Sequence, residues 1–177
     1  MSGKNVLIVY AHQEPKSMNG SLKNIAVDVL SKMGCSVTVS DLYAMNFNAV
    51  TTRNDIAGDL CNPQHFSYGV ETMEAYKKGC LCEDILKEQE KITEADLVIF
   101  QFPLYWFSFP AIMKGWIDRC FVQGFAFDFP GCYDTGLLKV CSTALHNVEN
   151  VNVCHKICAY KRLAVSRVHL LLCIDPV

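Results

Sequence analysis

The stretch VLIVYAHQEPKSMNGS, Val6–Ser21, decides the fold. Val6–Ala11 is an unbroken apolar run of strand length, the pattern of a strand buried on both faces. A polar loop, His12–Ser17, follows. A helical pattern then begins, with Leu22, Ile25, Ala26, Val29 and Met33 expected on one apolar face. Ser17 or Asn19 can cap its start, and Gly34 stands where a helix end favours a positive φ. Strand, loop and helix in this order form the first half of a parallel crossover unit.

The same alternation continues downstream. Ser36–Ser40 alternates around Val37 and Val39 and reads as a second strand, and Asp41 to about Phe66 is long and irregular. Helices are predicted over Tyr68–Lys78 and Asp84–Ala95. Asp96–Phe102 is the next buried strand. A loop bounded by Pro103 and Pro110 leads into a helix whose apolar face holds Ile112, Met113, Trp116, Ile117 and Cys120. Val140–Leu145 reads as a fourth strand and Leu163–Ile174 as a strand or a helix. Strands separated by helices imply an α/β fold, a doubly wound parallel sheet.

Composition narrows the class. Of 177 residues, 51% are hydrophobic and 19% charged, enough for one sizeable core and incompatible with disorder. A net charge of −2 gives no electrostatic reason to expect a nucleic-acid partner. No apolar run approaches the length of a bilayer span, and the N-terminus lacks the pattern of a signal peptide. A cytosolic, membrane-free protein is expected, and its 10 cysteines are accordingly read as mostly reduced.

Ligands of open α/β sheets bind beyond the carboxyl ends of the strands, where the strand order reverses. For the order 2-1-3-4-5 that point lies between the first and third strands. The loop His12–Ser21 ends at a helix N-terminus whose N–H groups can hold an anion, with Ser17 and Ser21 supplying hydroxyls. It can equally be a polar turn that merely caps the helix. The loop PLYWFSFP, Pro103–Pro110, brings Tyr105, Trp106, Phe107 and Phe109 to the end of a central strand. Such rings pack cores and subunit contacts, or they wall a planar cofactor. Cys154, His155 and Cys158 offer three soft ligands where a structural zinc wants four, so no metal site is assigned.

Four segments carry a family resemblance: Val6–Ser21, SDLYAMNFN (Ser40–Asn48), EADLVIFQFPLYWFSFPAIMKGWIDR (Glu94–Arg119) and QGFAFDFPGCYDTGLLK (Gln123–Lys139). From about Lys4 to Lys139 the chain resembles the vertebrate FAD-dependent quinone reductases. The resemblance implies a flavodoxin-like doubly wound sheet, one FAD per subunit and a homodimer with the active site at its interface. It further implies a two-electron, ping-pong reduction of quinones by a dihydronicotinamide donor, NRH or NAD(P)H. By match to the family, His12, Met18, Asn19, Gly20 and Ser21 contact the phosphate and ribityl end of FAD. Leu104, Tyr105, Trp106 and Phe107 line the isoalloxazine, and Phe127, Asp128 and Phe129 form the substrate pocket. Met18 replaces the family's Phe, Phe129 a smaller apolar residue, and Ser67 an amide near the FAD.

The resemblance stops at Lys139, dividing the chain into an FAD-binding part, 1–139, and a divergent tail, 140–177. All glycines lie at or before Gly136, so the tail lacks the family's Gly-Gly turn against the flavin. Its Tyr160 and His155 do not align with the family's tyrosine and histidine, and the family's zinc ligands have no match. The sheet is therefore expected to be incomplete at its C-terminal end. Two competing readings follow: a non-catalytic, splice-type variant that pairs with full-length subunits or is degraded, and an FMN-type electron carrier.

Overall fold

The computed structural model describes residues 3–129, 137–138 and the main chain of 142–147. Strands β1 (Asn5–Tyr10), β2 (Ser36–Asp41), β3 (Leu97–Phe102) and β4 (Ser142–Asn147) form one parallel sheet in the order β2-β1-β3-β4. Val6 pairs with Val37 on one side and Leu97 on the other, and Leu97 pairs in turn with Ser142. The helices are α1 (Met18–Lys32), α2 (Tyr68–Lys78), α3 (Glu83–Glu94) and α4 (Ala111–Cys120). The family-based expectation of a flavodoxin-like, doubly wound sheet is met, with the strand order reversing between β1 and β3. The predicted fourth strand begins two residues later than expected. The break at Lys139–Val140, the Cys154/His155/Cys158 group and Leu163–Ile174 lie outside the described residues.

Central β1 is buried from Val6 onward, as its unbroken apolar run requires. Its alternate residues serve two layers. Leu7 and Val9 join Val98, Phe100 and Phe102 of β3 against Ile85 and Ile92 of α3 and Met113 and Trp116 of α4. Val6 and Ile8 face the other way, toward Leu30 and Cys35, with Ala26 and Val27 of α1 packed alongside.

The expected apolar face of α1 is corrected here. Ala26, Val27 and Leu30 meet the sheet, whereas Ile25, Val29 and Met33 are 57%, 48% and 44% exposed. Those three form the neighbouring ridge, about 100° round the helix. No other described helix packs into the core cluster on this side of the sheet. Helical periodicity grouped both ridges together because both are apolar.

The long segment after β2 is held by buried charge. It contains one 3₁₀ turn, Arg53–Asp55, closed by a capping box between Thr52 and Asp55. Arg119 of α4 grips Asp55 through Nη2 at 2.9 Å and Nε at 3.2 Å. Its Nη1 reaches Asp84 at 2.7 Å and the Asn48 carbonyl at 2.9 Å. The Tyr68 hydroxyl donates to the same Asp55 carboxylate at 2.7 Å. Gly115 allows this close approach, since a Cβ there would lie 2.1 Å from the Ala49 carbonyl oxygen.

Candidate functional site

The loops after β1 and β3 meet at the carboxyl edge of the sheet, where the strand order reverses. Ala11 N–H donates to the Gln101 carbonyl, extending the β1–β3 ladder to its end. Gln13 Nε2 then reaches the Tyr105 hydroxyl at 3.4 Å, joining the two loops directly.

The first loop is folded by its own polar groups. His12 Nδ1 accepts the Glu14 N–H at 3.0 Å, which makes Nδ1 the unprotonated ring nitrogen in that bond and leaves Nε2 for another partner. Ser17 is the helix cap, its Oγ accepting the Gly20 N–H at 3.1 Å. The first bond of the helix runs from Ser21 N–H to the Ser17 carbonyl, so the Met18 and Asn19 N–H groups precede it. Gly20 is obligatory here: a Cβ would sit 2.1 Å from the Pro15 carbonyl oxygen, and the loop closes over that gap. Lys23, one turn on, lies over the Tyr10 ring at 4.9 Å.

Asn19 departs from simple expectation. It is buried, and its Oδ1 accepts a hydrogen bond from Gln101 Nε2 at 2.6 Å. A ligand at this edge would meet its N–H, not its amide. Gln101 was not singled out in the sequence; the available signal was one polar residue inside the apolar run Leu97–Phe102.

In the second loop Leu104 is buried with the core, while Tyr105, Trp106 and Phe107 project outward. Tyr105 and Ser108 exchange both main-chain hydrogen bonds, at 3.1 and 3.0 Å, around Trp106 and Phe107. Those two have φ of 51° and 57°, the left-handed pair that a tight two-residue turn demands. Asn-Gly is the usual occupant of such a turn, and bulky residues there carry roughly 1–3 kcal/mol of strain each. Trp106 is nevertheless 95% exposed, so its ring returns no packing energy to the chain. Strain and an exposed indole together mark a surface built for a contact.

Two phenols border this edge. Burial raises the Tyr10 pKa, opposed by a hydrogen bond with Ser17. Burial, then the nearby Tyr105, raises that of Tyr43. Both remain protonated at neutral pH. Phe127, Asp128 and Phe129 follow α4 in the chain. Asp128 accepts from Gln123 Nε2 at 3.0 Å and from the Phe129 N–H at 2.9 Å, which hold its carboxyl below the usual range. Phe127 and Phe129 are edge to face, and Phe129 is 73% exposed. The hydrogen bonds and ring contacts of these three run among themselves and to Gln123 and Gly124. The structure thus places the two loops that carry the first nine candidates at one edge of the sheet, and Phe127 packs against the core cluster that also holds Leu104.

Among the described residues no cluster of three His, Cys, Asp or Glu could hold a metal ion, and no helix is long and apolar enough to cross a membrane. Cys61 is exposed, Cys80 and Cys82 are half-buried, and Cys35 and Cys120 are buried.

Fold and edge together define a flavodoxin-like protein, and comparison with known proteins agrees. The chain belongs to the family described as having the flavodoxin-like fold, whose model matches residues 4–146. Human ribosyldihydronicotinamide dehydrogenase [quinone] is 70% identical over 139 residues, 78% of this chain and 60% of that protein. Rat NAD(P)H dehydrogenase [quinone] 1 is 52% identical over 136 residues, 77% of this chain and 50% of the relative. A solved structure from Klebsiella pneumoniae, whose description proposes a quinone reductase, superposes with a TM-score of 0.77 at 40% identity, covering 82% of this chain and 59% of that one. The chain therefore spans about 60% of the length of the first of these relatives.

Proposed function

We propose that the chain is a flavoprotein oxidoreductase that takes FAD at the β1–β3 edge and reduces quinones with a dihydronicotinamide donor, NRH or NAD(P)H. In this reading it acts in the cytosol as a homodimer, and residues 1–139 carry the cofactor-binding part. The observation that carries the reading is the strained Tyr105–Ser108 turn with its exposed indole, set beside the Ser17-capped N-terminus of α1 at the switch point. The names of the relatives, quinone dehydrogenases of two kinds, support it.

The residues present fit the two ends of such a cofactor. His12 through Nε2, the Met18 and Asn19 N–H groups and the Ser21 hydroxyl suit a phosphate and its ribityl chain, and Gly20 lets the loop close tightly against the helix end. Tyr105, Trp106 and Phe107 offer rings and turn main chain to a planar system, with Leu104 as the fixed support beneath. When bound, FAD supplies two-electron hydride chemistry, and the protein contributes orientation and electrostatics. Trp106 and Phe107 exclude water from one face. The ionised Asp128, between Phe127 and Phe129, places a fixed negative charge at the proposed substrate pocket. No residue of this chain is assigned a proton-transfer role.

Titration of the purified chain with FAD tests the reading. Saturable quenching of flavin fluorescence with a rise in melting temperature is the expected result. Turnover of dihydronicotinamide with menadione then follows. Binding without turnover would favour the second reading, a non-catalytic partner of full-length subunits. That reading draws on the quinone dehydrogenase relatives matching only 139 residues of this chain. A folded chain that moves neither signal sinks the FAD proposal. Extraction of FMN in place of FAD would point to an electron carrier.

A further inference from the structure

The chain contains a single Asn-Gly pair, Asn19–Gly20, and the structure places it in the first turn of α1. Asparagine before glycine is a chemically labile sequence, because no side chain hinders attack of the glycine nitrogen on the asparagine Cγ. A bulkier residue after Asn19 would slow that attack, but none fits: a Cβ on residue 20 would lie 2.1 Å from the Pro15 carbonyl oxygen. Asn19 is equally constrained, since its buried Oδ1 accepts from Gln101 Nε2 at 2.6 Å. Independent packing demands therefore impose a labile pair on the β1–β3 edge.

The fold holds the reaction off by position. Ring closure requires rotation about the Asn19 Cα–C bond out of the helical region, and Asn19 lies within α1. The Gly20 N–H, whose proton must leave, donates to Ser17 Oγ at 3.1 Å. Gln101 ties the Asn19 side chain to β3, and Asn19 is only 4% exposed. The Gln101 bond would polarise the Asn19 carbonyl if the nitrogen could reach it, so geometry and not electronics keeps the pair closed. All of these restraints belong to the first turn of a helix, which opens at lower free energy than the core.

We propose that Asn19–Gly20 is a latent self-modification site, closed in the folded chain and released when the first turn of α1 opens, with water as its co-reactant. In the step, the Gly20 nitrogen gives its proton to solvent and bonds to Asn19 Cγ. The Cγ–Nδ2 bond breaks, and Nδ2 leaves as ammonia after taking a proton from water. Water then opens the resulting succinimide at either carbonyl, leaving aspartate or isoaspartate without any change of oxidation state. Either product carries a carboxylate in place of the amide that Gln101 holds. The isoaspartyl form also lengthens the main chain beside Gly20, where the loop has no room for a Cβ. Opening of the loop is thereby recorded as a permanent defect. A ligand at this edge protects the pair by favouring the closed turn. That link to FAD rests on the function proposed above; the closure of the pair by the fold does not.

The test incubates the full chain in mildly alkaline buffer, folded and in denaturing guanidinium chloride. Peptide mass mapping follows the exchange of –NH2 for –OH at each asparagine, and an isoaspartate methyltransferase assay counts the rearranged product. In denaturant Asn19 is expected to react ahead of every other asparagine, and in the folded chain to be strongly protected. Gln101→Leu and Ser17→Ala should each speed the folded reaction several-fold, and Ser17→Thr should restore protection. Melting temperature confirms that each variant folds. Equal rates at Asn19 in the folded and denatured chain, or an unchanged rate in both folded variants, overturns the proposal. Saturating FAD should slow the folded reaction further, with flavin quenching read in the same samples. Quenching without added protection overturns the link to FAD, whereas absent quenching sinks the function proposed above and leaves the folded–denatured contrast standing.

Discussion

Gln101 of β3 donates through Nε2 to Oδ1 of Asn19, in the first turn of α1, at 2.6 Å, with both residues buried. The bond fixes the helix N-terminus against the strand that launches the aromatic turn. It therefore sets the spacing between the two halves of the candidate site. Asn19→Ala removes this acceptor from a buried donor and is expected to cost about 1–3 kcal/mol. Urea unfolding measures that cost. FAD affinity should fall in the same variant, because the helix end is no longer tied to β3.

The Tyr105–Ser108 turn separates stability from binding. Replacing Trp106 by Asn and Phe107 by Gly gives the pair that left-handed turn positions favour, relieving roughly 1–3 kcal/mol of strain at each. The double variant should melt at a higher temperature and bind FAD more weakly. A higher melting temperature with unchanged FAD affinity would remove the rings from the proposed site.

Arg119 is 2% exposed and pairs with Asp55, itself 1% exposed. Burial works against its charge, but the Asp55 and Asp84 hydrogen bonds prevail and raise its pKa further. Arg119→Met leaves Asp55 as an uncompensated buried charge, at an expected cost of about 3–5 kcal/mol. Replacing both, with Asp55→Asn, should recover part of it. Chemical denaturation of the single and double variants and the parent chain gives the comparison.

Glu71 sets an acid limit. Two main-chain N–H bonds, from Cys61 and Asn62, lower its folded pKa below the ordinary value. A depressed carboxylate contributes stability that is complete above the unfolded pKa, about 4, and is lost as pH falls through the folded one. Melting temperature should therefore drop on acidification below about pH 4. Glu71→Gln should lower stability at neutral pH and flatten that acid slope. An identical slope in the variant would assign the acid transition to other carboxylates.

Local chemistry carried most of the fold in the sequence. Val6–Ala11 and Asp96–Phe102 read as buried strands because continuous apolar runs of that length have few other solutions. Ser17 and Gly34 marked the ends of α1, the latter with the expected positive φ of 80°. The family, too, was legible in four uninterrupted segments.

Tertiary structure alone decided the rest, because it joins residues that periodicity treats separately. Gln101 and Asn19 lie 82 positions apart, and Arg119 and Asp55 lie 64 apart. Nothing local announces either partner. Periodicity also put Ile25, Val29 and Met33 on the apolar face, although it is Ala26, Val27 and Leu30 that reach the sheet. The pattern records that a surface is apolar, and packing determines which layer covers it. Likewise, Trp106 and Phe107 read as rings in a loop until closure of the turn forced both into the left-handed region. Side-chain type is local information; the partner, the exposure and the strain belong to the assembled chain.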